Sequence, residues 1–153
     1  LFWILEELGE VAHAFKHGDM NKLAEESTDI TFFTATALES LKQNGDRLAL
    51  NVNRAIIPHK PVVYYIRELA KTYGLILTAA DQLKGLNEFE PNPVMEEVSV
   101  DHLSWLIVKM HLTARPLIRT IGHDPDVEFL KKLEKNRTRI PIVHGNVRHF
   151  DRE

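Results

Sequence analysis

The stretch Leu1-Phe2-Trp3-Ile4-Leu5-Glu6-Glu7-Leu8-Gly9-Glu10-Val11-Ala12-His13-Ala14-Phe15-Lys16, followed after His17-Gly18 by Asp19-Met20-Asn21-Lys22-Leu23-Ala24-Glu25-Glu26-Ser27-Thr28-Asp29-Ile30, decides the fold. Leu1, Ile4, Leu5, Leu8, Val11, Ala12 and Phe15 recur at helical spacing, so residues 1–16 read as a helix with one buried stripe. Gly18 suits the left-handed position that ends a helix, and Asp19 suits the cap that begins the next. Leu23, Ile30, Phe33, Ala37, Leu38 and Leu41 carry the period on to about residue 43. So short a connection predicts an antiparallel helix hairpin.

Downstream the same period recurs between breaks. Asn44-Gly45-Asp46 interrupts it, residues 47–57 have room for another helical turn or two, and Pro58 and Pro61 punctuate the chain. Residues 62–85 read as a helix ending near Gly85, with a linker from Asn87 to Pro93. Ser99 suits the cap of a helix running to about Ile121, which Pro116 should kink or break. Gly122 ends it. Asp124-Pro125-Asp126 has the proline and acids of a helix start, and that helix runs to about Arg137. Pro141 stops it. No segment alternates apolar and polar residues for long, so the expected class is an all-α helical bundle. Three regions are expected: an acidic hairpin over 1–57, a helical second half over 58–141 and an irregular tail over 142–153.

Composition narrows the function. The 153 residues carry a net charge of −3, without the basic footprint of a nucleic-acid binder. No apolar run is long enough to span a bilayer. The chain has no cysteine, which excludes disulfides and thiolate metal sites and is compatible with the cytoplasm. It begins with Leu inside a helical pattern, so further natural sequence is expected before Leu1.

The two helices carry acids at spacings that repel. Glu7 and Glu10 are three apart, as are Glu26 and Asp29; Glu6 and Glu10 are four apart, as are Glu25 and Asp29. Like charges at these intervals cost roughly 0.2–0.5 kcal/mol each. None of these acids has a basic residue four positions on. A solvated acidic face is the plain alternative, but two self-repelling motifs on adjacent helices favour a cation between them. An all-oxygen set suits a hard ion, Mg²⁺ above all where phosphate is the other ligand.

Glu6-Glu7-x-x-Glu10 followed by Glu26-x-x-Asp29 resembles the signature of the MazG-like all-α nucleoside triphosphate pyrophosphohydrolases, a match over residues 1–43. Lys132, Asn136, Arg139, Ile140 and Pro141 fall at the spacing of the element with which family members often close. The resemblance implies Mg²⁺-dependent hydrolysis of an NTP or dNTP to the monophosphate and pyrophosphate, with Mn²⁺ able to substitute. It implies that Glu7, Glu10, Glu26 and Asp29 hold the metal and that Glu6, or less directly Glu25, activates water. Lys132, Asn136 and Arg139 would contact phosphates, and Trp3 would offer a stacking face to the base. A cytoplasmic homodimer is expected.

Two departures stand out. The family usually places a helix before the Glu-Glu-x-x-Glu helix; the sequence starts at that second helix, so the preceding one is expected either before Leu1 or replaced by another helix. About a hundred residues also separate the acids from the closing element, far more than in compact members. One reading is an internal duplication, with Ile66-Arg67-Glu68-Leu69-Ala70-Lys71 laid over Leu5–Glu10, Val98 and Asp101 over Glu26 and Asp29, and Arg47, Asn51 and Arg54 as a first closing element. The other is that any two amphipathic helices align this well. Two rival functions remain: a bundle that binds nucleotide or a partner without catalysis, and a carboxylate di-iron protein. Glu10-x-x-His13 suits the latter, but it lacks a second copy. No Gly-rich phosphate loop is present.

Overall fold

A computed structural model describes residues 2–43, 52–53, 56–89, 93–138, 141–144 and 147–150. Five helices make up its body: α1 (Phe2–Lys16), α2 (Met20–Ser40), α3 (Val62–Phe89), α4 (Pro93–Thr120) and α5 (Pro125–Thr138). The all-α bundle is as expected. α3 packs along α4, α4 along α2, and α2 along α1, while α5 lies on α2. Among the described residues no helix is long and apolar enough to cross a membrane.

The break between α1 and α2 follows the local chemistry. Gly18 adopts φ +68°, a conformation costly for any residue with a Cβ. Asp19 caps α2, its Oδ1 accepting from the Lys22 N–H at 3.0 Å. Gly122, at φ +89°, likewise ends α4. The Asp124 side chain then accepts from the Asp126 N–H at 2.9 Å to start α5, with Pro125 as its first residue.

The structure corrects several expectations. In α1 the inward stripe is Ile4, Glu7, Leu8, Val11 and Ala14, so Leu5, Ala12 and Phe15 face outward and an acid joins the core face. Both stripes obey the helical period, and the one buried is the one that carries Glu7. α3 continues past Gly85 to Phe89, and α4 begins at Pro93, not near Ser99. Proline at the first helical position loses no bond that a helix start could have made. Pro116 does not end α4. A proline inside a helix costs about 3 kcal/mol. Leu117 and Ile118 beside it are fully buried, and two such side chains return roughly 1.5–3 kcal/mol each.

The expected irregular tail contains an antiparallel β-hairpin, β1 (Pro141–His144) with β2 (Val147–Phe150). In the sequence the two strands are separated by Gly145-Asn146, a composition favoured in two-residue hairpin connections. That signal went unweighed because the strands are short. The break at Asn44-Gly45-Asp46, the residues Arg47, Asn51 and Arg54, and Arg139 lie outside the described residues.

α2 is the central helix, buried on several faces. Its inward residues include Leu23, Ala24, Ile30 and Leu38 but also Ser27, Thr28, Thr31 and Thr34. The threonine hydroxyls donate back to helix carbonyls: Thr28 to Ala24 at 2.7 Å, Thr31 to Thr28 at 2.6 Å and Thr34 to Ile30 at 2.8 Å. His111 of α4 reaches the same helix. Its Nδ1 lies 3.0 Å from the Thr31 carbonyl, to which it donates as the Nδ1–H tautomer, and 2.9 Å from Thr34 Oγ1.

Burial holds the His111 pKa below its ordinary value, against the hydrogen bond to Thr31 and with help from nearby Arg115. The neutral ring is thus the folded form. As pH falls below the unfolded value of about 6.5, the unfolded chain takes a proton that the folded chain resists, and stability is lost. Urea melts of the parent and His111→Gln between about pH 7 and about pH 5 should show a smaller loss in the variant, whose amide keeps a donor for Thr31. Equal losses would show that the ring does not titrate in this way.

Candidate metal centre

Three acids meet in the core between α1 and α2. One carboxylate oxygen each from Glu7, Glu26 and Asp29 lies within 4.8 Å of the others, and all three side chains are buried. Register brings them together. Glu7 occupies the inward face of α1, and Glu26 and Asp29 are one turn apart on the face of α2 that meets it. Toward the start of α1, the Trp3 ring lies 5.7 Å from that of Phe33.

The arrangement is electrostatically costly when fully ionised. Two unit charges 4.8 Å apart repel by on the order of 3 kcal/mol at an effective dielectric near 20. The protonation pattern follows. Burial first, then a hydrogen bond to Glu26 and the charges of Asp29, Glu26 and Glu10, push the Glu7 carboxyl up to about 9. Burial alone would raise Glu26 as well, but hydrogen bonds from Glu7, Glu10 and Lys22 together carry it down. Asp29 is raised, its burial outweighing the contact with Lys132. The Glu7–Glu26 pair therefore shares a proton.

Two lysines supply the positive charge. Lys22 Nζ stands 2.6 Å from Glu26 Oε1 and 3.9 Å from Glu25. The compensating base lies four residues before Glu26, not four after it, which is where sequence reasoning missed it. Lys132 of α5 stands 2.6 Å from Asp29 Oδ1, with the two side chains only 12% and 10% exposed. Lys135 reaches Glu25 at 3.7 Å, and Phe129 lies against Phe32 with ring centroids 6.2 Å apart. The start of α5 is tied to α4 by Arg115 and Asp126 at 2.9 Å.

The remaining expected site residues divide. Glu10 is half-buried and bonds to Glu26 without joining the three-acid group. Glu6 and Glu25 are exposed and stand outside that group. Asn136 is half-buried one turn beyond Lys132, and Trp3 keeps 51% of its surface exposed beside Phe33. The positions aligned with the acids of α2 in the duplicated register, Val98 and Asp101, are exposed, unlike Glu26 and Asp29. His13 and His17 lie against each other, ring centroids 4.3 Å apart, and among the described residues no histidine joins the acids. That weighs against di-iron chemistry.

The residues fit a hard divalent cation. The donors are all carboxylate oxygens, and Glu26 Oε2 is buried without an N–H or hydroxyl donor among the described residues. Comparison of the chain with protein-family profiles, with curated proteins and with solved structures finds no match.

Because the folded pKa of Glu7 is raised, folding takes up a proton between the unfolded value near 4.5 and about 9. Without metal, stability falls as pH rises through that window, and Asp29 acts in the same direction. A divalent cation held by these acids would take the place of that proton, so any stabilising effect of Mg²⁺ in thermal melts should be larger at about pH 8.5 than at about pH 6. Glu7→Gln, which mimics the protonated acid, should flatten the metal-free pH dependence and lose most of the gain from Mg²⁺. A Mg²⁺ effect independent of pH would contradict the exchange of proton for metal.

Proposed function

We propose that this chain is a Mg²⁺-dependent nucleoside triphosphate pyrophosphohydrolase of the MazG-like class. One observation carries the reading: Lys132, about a hundred residues downstream, stands 2.6 Å from Asp29 within the acid group. Contact between a residue of the closing element and the acids is what the family resemblance leads one to expect, and it supports this reading. In this reading Glu7, Glu26 and Asp29 hold the metal, with Glu10 at the rim. When bound, Mg²⁺ neutralises phosphate charge and orients the attacking water.

The chain's own residues do the rest. A carboxylate at the exposed edge, Glu6 or Glu25, takes a proton from water as its oxygen attacks the α-phosphorus. The bond from that phosphorus to the bridging oxygen breaks, and pyrophosphate leaves with the electron pair. Lys132 and Asn136, with Arg139 beyond the described residues, bind phosphate oxygens. Trp3, backed by Phe33, gives the base a stacking face. The substrate is a free NTP or dNTP, and the enzyme is a cytoplasmic homodimer in which Mn²⁺ can replace Mg²⁺.

A second reading is favoured by the lysines themselves. Lys22 and Lys132 already offset part of the acids' charge, as they would in a bundle that binds nucleotide or a partner without turning it over. Product analysis separates the two. With Mg²⁺ and a panel of NTPs and dNTPs, pyrophosphate and monophosphate should appear in equal amounts. Glu7→Gln and Asp29→Asn should each lower the rate by at least about a hundredfold while retaining helical circular dichroism, since removal of a ligand should cost at least as much as loss of an outer-shell partner. Mg²⁺-dependent nucleotide binding without product would select the second reading. Full turnover in either variant would remove these acids from the site.

A further inference from the structure

Lys132 occupies an unusual position for a phosphate ligand. Its ammonium does not face solvent but touches Asp29, one of the three acids whose oxygens converge within 4.8 Å. An ammonium and a hard cation use the same oxygen lone pairs, one by donating hydrogen bonds and the other by coordination. Two positive charges on one oxygen also repel, so each weakens the other's hold on Asp29 Oδ1.

Lys22 differs in kind. It belongs to the same helix as its partner, its side chain is 49% exposed, and Glu26 keeps a second buried oxygen that it does not touch. Lys132 comes from another element and is almost entirely covered. A covered ion pair resists simple loss of one partner, because the remaining charge is left buried. Departure of Lys132 leaves the Asp29 charge to be met by a proton or by another cation.

α5 is built to remain while the side chain moves. Arg115–Asp126 ties its start to α4, Phe32–Phe129 packs its middle on α2, and Lys135–Glu25 holds its last turns. None of these contacts uses Lys132. Its four-carbon stem carries three donors on rotatable bonds, so the ammonium can swing without displacing the helix.

We propose that Lys132 is the internal counter-ion of the metal-free site, displaced from Asp29 by the divalent cation and handed to a phosphate oxygen of the substrate, so that metal and nucleotide bind with positive coupling through this one side chain. The proposal rests on the pyrophosphohydrolase reading above. Linkage makes the coupling reciprocal: whatever frees Lys132 for phosphate also favours the metal, and the converse.

Mn²⁺ binding to the full chain, followed by electron paramagnetic resonance, tests it with metal alone and then with an α,β-imido nucleoside triphosphate, which resists cleavage at the bond concerned. Lys132→Gln should bind Mn²⁺ alone on the order of tenfold tighter than the parent, the scale of displacing one charged hydrogen bond. Lys132→Arg, which keeps the charge, should stay near the parent. The imido analogue should tighten Mn²⁺ binding by the parent but not by Lys132→Gln.

Equal or weaker Mn²⁺ binding by Lys132→Gln overturns the proposal, as does Lys132→Arg behaving like Lys132→Gln. In either case, loss of Mn²⁺ binding in Asp29→Asn leaves the metal reading standing. Mn²⁺ binding unchanged in Asp29→Asn, or found in no variant, overturns both. The parent provides a measurement independent of how the variants fold: Mg²⁺ without nucleotide should shift the Lys132 ammonium resonance. A resonance that stays in place while Mg²⁺ is bound overturns the proposal.

Discussion

Three carboxylates within 4.8 Å of one another in a helical core constrain everything around them. Each ionised pair would cost on the order of 3 kcal/mol, and a whole domain is stable by only about 5–15 kcal/mol. The acids cannot all be charged and uncompensated in a folded chain. The structure answers with a proton shared by Glu7 and Glu26, with Lys22 beside Glu26 and with Lys132 beside Asp29.

The central position of α2 has its own requirements. A helix touched by α1, α4 and α5 is buried through most of its middle turns, and this one carries four hydroxyl residues there, between Ser27 and Thr34. Thr28, Thr31 and Thr34 return their hydroxyls to the helix backbone, so each buries a polar atom already satisfied. Small, self-satisfied side chains let neighbouring helices approach closely. His111 uses that closeness to bond the Thr31 carbonyl from α4, fixing the register of α4 on α2 two residues past Asp29.

Much of the fold was legible in the sequence, for reasons that differ along the chain. Gly18, Asp19, Gly122 and Asp124-Pro125 act within a few residues of themselves, and their signals held. Pro116 is different, because packing outweighs local propensity there. Leu117 and Ile118 hold a helix together across a proline. Glu7, Glu26 and Asp29 were visible from spacing alone, but that Glu7 is itself core depends on where α2 stands. Lys22 precedes Glu26 by one turn, so a pattern of bases four residues after the acids does not reveal it. Lys135 and His111 left no signal, since their partners lie far away in sequence.

The second half shows what an acid does when it is not held in such a group. Glu68, aligned with Glu7, lies on the same side of α3 as buried Tyr65, Leu69 and Thr72, yet remains 23% exposed and pairs with Lys71 at 3.3 Å. Lys71 stands where α1 has Glu10. One lysine in place of one glutamate converts a repelling pair into an ordinary i,i+3 ion pair, and no further cation is called for. In α1 the same position is acidic, so compensation must come from other elements: Lys22 at the start of α2 and Lys132 after the long passage through α3 and α4. Charge balance supplied within one helix needs no other element, whereas balance supplied by a separate helix depends on how the helices pack, so the acids of α1 and α2 tie the seating of α5 to their own charge.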